Sequence, residues 1–151
     1  MNVVTRLADM GIELPPAAAP VASYVPVVVV GDLAYVSGQL PFIEGQLVTG
    51  KLGSDLGTER GIQAARACGL MILAQLEAAD LLDRVVRVVK LGGFVASSPD
   101  YTEQPKVANG ASDLMVEVFG EKGKHARSAV GVPVLPLNAA VEVDAILALK
   151  P

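Results

Sequence analysis

One cysteine, one histidine and no tryptophan set the first limits on this 151-residue sequence. The single thiol, Cys68, leaves no partner for an internal disulfide and no set for a cysteine-based metal site. It lies in an alanine-rich helical stretch and reads as a small packed side chain. The single histidine, His125, leaves no zinc ligand set and makes a serine–histidine triad a poor expectation. Aromatic residues make up 4% of the chain and charged residues 19%, against 52% hydrophobic. No uninterrupted apolar run nonetheless approaches the roughly 18 residues of a membrane span. The densest, Val25 to Val30, contains a proline and stops at Gly31-Asp32. The N-terminus shows no basic, apolar and cleavage-site pattern, so no secretory leader is read and the expected location is cytoplasmic. Positive charge is scarce as well. The net charge is −4, and the twelve Lys and Arg are scattered, with Arg84, Arg87 and Lys90 the nearest approach to a cluster. Nucleic-acid affinity draws on concentrated positive charge, so this balance argues against that class of partner. A chain this apolar without a membrane segment favours a homo-oligomer that buries a face between subunits. Its length suits a single domain burying about two-thirds of its unfolded surface.

What is present is a succession of strand and helix signals. Val3 to Gly11 has the spacing of a short docked helix. Pro15, Pro16 and Pro20, set among alanines, then make an extended linker. Tyr24 to Val30 and Leu33 to Ser37 read as a hairpin turning at Gly31-Asp32. In Ser37-Gly38-Gln39, alternation would put Ser37 and Gln39 on one face, with Gly38 leaving the backbone open to close approach. The glycine-rich stretch 44–57 reads as a loop with one short strand at Gln46 to Val48. None of its spacings is a nucleotide cradle. Thr58 to Ala79 is a long helix, with Ile62, Ala65, Gly69, Ile72, Leu73 and Leu76 forming one apolar stripe. Val85 to Ala96 is a valine-rich strand in which Gly92-Gly93 marks a bulge or a close neighbour. A second helix spans Gln104 to Phe119, with Asn109 off its apolar stripe and facing either a pocket or solvent, and Gly120 and Gly123 beyond its end. The order of hairpin, helix, strand, helix, strand, strand is that of an α+β fold, a mixed sheet with both helices packed on one face.

The chemistry concentrates near the end of the chain. His125-Ala126-Arg127-Ser128-Ala129-Val130 and Val141-Glu142-Val143-Asp144-Ala145-Ile146 alternate like strands, and Pro133 and Pro136 separate them. Arg127 is a planar fork suited to gripping a carboxylate through two parallel hydrogen bonds. Glu142 follows fifteen positions later and shares a strand face with Asp144. Two acidic groups near an arginine are either an active-site cluster or the solvated side of an edge strand.

Four of these elements in order, Ser37-Gly38-Gln39-Leu40-Pro41, Arg127-Ser128, Leu135-Pro136 and Val141 to Ile146, resemble the RidA/YjgF/YER057c/UK114 family. The likeness covers Tyr24 to Leu149. It implies a chorismate-mutase-like fold assembled as a homotrimer, with ligand sites in the clefts between subunits. It also implies hydrolytic deamination of the reactive enamines and imines released by pyridoxal-phosphate enzymes, with no metal or organic cofactor in the protein itself. By the same resemblance Arg127 holds the substrate carboxylate and Glu142 assists water and proton transfer. Tyr24, Gly38 and Asn109 line the cleft.

The chain departs from the common pattern in three places. Ala129 stands where many members carry a cysteine. Residues 1–23 look like an extension ahead of a core at 24–150, and Ser97 to Lys106 looks lengthened. The competing reading is a non-catalytic trimer that captures a small carboxylate metabolite through Arg127.

Overall fold

The computed structural model describes residues 2–19 and 23–151; Pro20 and Ala22 of the expected linker lie outside them. Strands β1 (Val27–Val30) and β2 (Leu33–Gln39) form the first hairpin, turning at Gly31 with φ 58°. The sheet continues with β5 (Val85–Ala96), β6 (Ala126–Val132) and β7 (Val141–Leu149), in the order β1-β2-β7-β5-β6. All pairings are antiparallel except β5 with β6. That parallel pair is joined through helix α3 (Gln104–Phe119), because parallel neighbours need a crossover. The short strand expected within 44–57 is β4 (Gln46–Leu47), which pairs with β3 (Phe42–Ile43), just ahead of that stretch, as a second, two-stranded hairpin. Glu44 and Gly45 supply its turn, both with positive φ (51° and 77°), the backbone that suits a tight two-residue hairpin.

Helices α2 (Thr58–Ala78) and α3 cover one face of the large sheet. Strand β7 shows why: Val141, Val143, Ala145, Leu147 and Leu149 are buried, while Glu142, Asp144, Ile146 and Ala148 between them are half-buried on the other face. The core is the layer between those valines and leucines and the stripe of α2 carrying Ala65, Cys68, Ile72 and Leu76. The helices approach closely because glycine faces glycine-sized space. A Cβ at Gly110 of α3 would strike the Ile62 carbonyl of α2, and one at Gly69 would come within 2.9 Å of Leu114. Cys68 is wholly buried, with its thiol 3.7 Å from the Val141 carbonyl and its pKa pushed up by burial, as expected for a packed side chain.

One expectation is corrected by a bulge. Val36 pairs with Ala145 but Gln39 pairs with Val143, so β2 holds one residue more than β7 over this span. The extra residue reverses the alternation. Gln39 therefore leaves the face of Ser37 and turns to the helix side, where its Oε1 accepts from Gln75 Nε2 at 3.2 Å. Gln75 also donates to the Ala18 carbonyl at 2.9 Å, tying down the N-terminal segment. Ahead of that segment, α1 (Val3–Asp9) is capped by Asn2, buries Leu7, and reaches α3 through Arg6, which donates to the Glu117 carbonyl at 3.3 Å. Among the described residues no helix is long and apolar enough to cross a membrane.

Candidate functional site

Arg127 sits on β6, the edge of the sheet, beside Leu91 of β5 and hence on the helix-covered face. There it meets α3. Its Nη1 donates to Asn109 Oδ1 at 2.8 Å and to Ser112 Oγ at 3.1 Å. Asn109 and Ser112 are neighbours on the helix because residues three apart share a face. Ser112 Oγ lies 2.9 Å from His125 Nε2, and His125 Nδ1 lies 2.6 Å from the Gly123 carbonyl. Gly123 must be glycine here: a Cβ would run into the Met115 carbonyl at the end of α3. Serine and histidine therefore do pair, with a backbone carbonyl rather than a carboxylate behind the imidazole.

Glu142 and Asp144 lie on the open face, on the central strand of the sheet rather than on an edge. Each carboxylate occupies space that a neighbouring strand leaves by having no side chain. Glu142 lies over Gly38 at the bulge of β2, and Asp144 lies over Gly92 of β5, its register partner. Burial pushes the Glu142 pKa above its ordinary value, and the Asp144 charge adds to the rise. Burial likewise raises Asp144, against the opposing pull of the Gly92 backbone N–H and the Lys90 charge. A carboxyl so placed holds its proton to higher pH than an exposed one.

The five residues singled out from the sequence thus fall into two pairs and one outlier. Arg127 is bonded to Asn109, and Glu142 rests on Gly38. The pairs are on opposite faces with β5 between them, so within one chain the expected proximity of the arginine to the acidic groups is not met. The reason is parity: Arg127 is level with Leu91 on the covered face, and Glu142 with Phe94 on the open one. Tyr24, three residues ahead of β1, is 50% exposed and enters none of the hydrogen bonds among the described residues. Ser112 escaped the sequence reading, and His125 was weighed there only as a zinc ligand or triad member. The signals for them were the three-residue step from Asn109 and the two-residue step to Arg127. The Ser97 to Lys106 segment is pinned to the start of α2, where Thr58 Oγ1 lies 2.6 Å from the Tyr101 hydroxyl and donates to Glu103 at 2.9 Å.

Two concavities lie elsewhere. One of about 810 Å³ runs between the N-terminal segment, the β3–β4 hairpin and α2, past Leu14, Phe42 and Leu70. The other, about 700 Å³, is lined by Lys51, Ser97, Tyr101 and Gly131. Neither is lined by any of the five residues.

Residues 4–148 match the family model described as "YjgF/chorismate_mutase-like, putative endoribonuclease". The chain belongs to the YjgF family. This YjgF-family chain is 55% identical to "Protein TCP17" of Trypanosoma cruzi, over 99% of its own length and 95% of the relative's. It is 30% identical to a 2-iminobutanoate/2-iminopropanoate deaminase of Dermatophagoides farinae, over 92% of its length and 95% of that protein's. Among solved structures, a protein of unknown function from Agrobacterium tumefaciens superposes with a TM-score of 0.90 at 48% identity, covering 98% of this chain and 92% of that one. The mixed α+β architecture is therefore that of its family.

Proposed function

We propose that this YjgF-family chain hydrolyses 2-imino acids and their enamine tautomers to 2-oxo acids and ammonia. The sites lie in clefts between three copies, where the Arg127 edge of one sheet meets the Glu142 face of the next. The opposite-face placement of the two residues supports that arrangement, since only a second copy can put them on one ligand. Tyr24, Gly38 and Asn109 complete the lining.

The observation that carries the reading is the state of the two charged groups. Arg127 is held at Nη1 by two acceptors, with its remaining N–H groups available to a carboxylate. Glu142 is a half-buried carboxyl whose pKa burial raises, so it holds a proton to higher pH than an exposed glutamate and can relay one. The reaction needs both. Water adds to the C=N carbon as a proton goes to nitrogen; the C–N bond then breaks, ammonia leaves and the C=O forms. A carboxyl that relays the water proton to nitrogen assists both halves. The deaminase name of the mite relative supports the same substrate class.

Freshly generated 2-iminopropanoate and 2-iminobutanoate are the substrates to assay. Acceleration over the buffer rate, lost in Glu142→Gln, is the expected result. Arg127→Lys keeps the charge but loses the fork, and should weaken carboxylate binding by about 1.5–3 kcal/mol. No turnover on either imine, with Arg127-dependent binding intact, would identify a carboxylate-capturing module instead.

A further inference from the structure

The chain's only histidine stands one hydrogen bond behind the side chain that Arg127 leans on. The polarity of that chain of bonds is fixed at both ends. At one end the Gly123 carbonyl only accepts, so His125 Nδ1 carries the hydrogen. At the other end the guanidinium only donates, so Ser112 Oγ accepts from Arg127. With Nδ1 protonated, Nε2 of the neutral ring is an acceptor, and the Ser112 hydroxyl hydrogen points to it. For the neutral ring, one hydrogen arrangement satisfies every group: Arg127 to Ser112 to His125, and His125 to Gly123.

Both hydrogens of Nη1 are used, one on Asn109 and one on Ser112. The three remaining guanidinium hydrogens, one on Nε and two on Nη2, make no hydrogen bond among the described residues. Two of them, the Nε hydrogen and one of Nη2, form the side edge of the fork, which can meet both oxygens of a carboxylate.

We propose that Ser112 and His125 are positioning residues for Arg127: they lock the guanidinium in plane by Nη1 and so dedicate its Nε/Nη2 edge to the ligand carboxylate. The inference rests on the reading of Arg127 as carboxylate anchor. It goes further by naming the edge used and the residues that select it. Ser112 and His125 touch the ligand only through Arg127.

The test begins with wild-type protein free of any histidine tag. Nitrogen NMR of the lone imidazole is expected to show the Nδ1–H tautomer; an Nε2–H tautomer overturns the inference, whether or not any variant folds. Binding of 2-oxobutanoate, the product of 2-iminobutanoate hydrolysis, is then measured by calorimetry. Ser112→Ala should bind about tenfold more weakly, the scale of one hydrogen bond to a charged group. Its KM for 2-iminobutanoate should rise to match, with kcat falling by much less. Ser112→Thr, which keeps the hydroxyl, should recover most of the loss. Wild-type affinity in Ser112→Ala and His125→Ala, beside weakened binding in Arg127→Lys, overturns the positioning roles. So does a Ser112→Thr variant as weak as Ser112→Ala. Should Arg127→Lys also bind like wild type, the carboxylate-anchor reading itself fails, and this inference falls with it.

Discussion

The two faces of the large sheet are built from the same kinds of residue and meet different fates. On the covered face, Val36, Leu91, Val95, Val143 and Leu147 are at most 3% exposed. On the open face, Val28, Val30, Tyr35 and Val130 are between 42% and 62% exposed, although they are as apolar as their buried counterparts. Only the open face carries Glu142 and Asp144. Strand alternation therefore reports two apolar surfaces, and two helices are enough to cover only one of them. The lesson is that an apolar strand face predicts a need for cover without saying what supplies it.

The sharpest way to test the difference is to empty one site on each face. Leu147→Ala leaves a cavity under the helices and should cost about 2–5 kcal/mol in urea denaturation. Ile146→Ala, its neighbour on the open face, should cost much less if that face meets water. A cost for Ile146→Ala equal to that of Leu147→Ala would mean the face is covered in solution. Sedimentation should then show three subunit masses, whereas a stable monomer at micromolar concentration would leave the proposed clefts without walls.

Next in size is the effect of Glu142→Gln, which should lower turnover of 2-iminobutanoate by roughly a hundredfold while leaving 2-oxobutanoate affinity within a few-fold of wild type. An unchanged rate would show that the open-face carboxyl takes no part in the chemistry.

A smaller effect concerns pH. Because burial raises the Glu142 and Asp144 pKa values, the folded chain binds more protons than the unfolded chain between the ordinary and the raised values. Stability then falls as pH rises through that window, the reverse of a carboxylate held in an ion pair. Asp144→Asn should raise Tm at pH 7 and leave it unchanged at pH 3, where both forms are neutral. A lower Tm at pH 7 would mean that Lys90 and the Gly92 N–H outweigh burial.

The smallest expected signal is binding to single-stranded RNA. The net charge is −4, and three of the twelve basic side chains, Arg66, Lys106 and Lys124, are in ion pairs with glutamates. Retention on RNA at physiological salt would revive the endoribonuclease label that the family carries.

Much of this was legible in the sequence because local rules agree with the fold. Val85 to Ala96 and Gln104 to Phe119 have the observed limits, each set by a strong period and by glycine or proline punctuation. What was not legible depends on parity between strands. The bulge at Ser37-Gly38 moves Gln39 across the sheet, and no side-chain alternation announces an inserted residue. The parallel pairing of β5 with β6 decides which face Arg127 takes, and that choice is made by a crossover helix rather than by Arg127's neighbours. The network behind Arg127 was hidden for the same reason. Asn109 and Ser112 are local to one helix, but His125 joins them only once β6 has docked.

Strand order also governs how the chain comes to exist. Strand β7, last of the strands to be synthesised, is the one that joins the β1–β2 hairpin to β5 and β6. A ribosome making this chain therefore exposes the other four strands of the sheet before its central one. Until Val141 to Leu149 emerge, the first hairpin has no strand joining it to β5 and β6, and α2 lacks the central strand it packs on. Folding of the sheet is thus postponed until β7 is made, with long-range pairing and its entropic cost collected into one step. During that wait the exposed valines of β1 and β5 are open to chaperones and to misassociation. A nonsense or frameshift change anywhere before β7 removes the keystone strand, so it would leave no smaller folded protein behind.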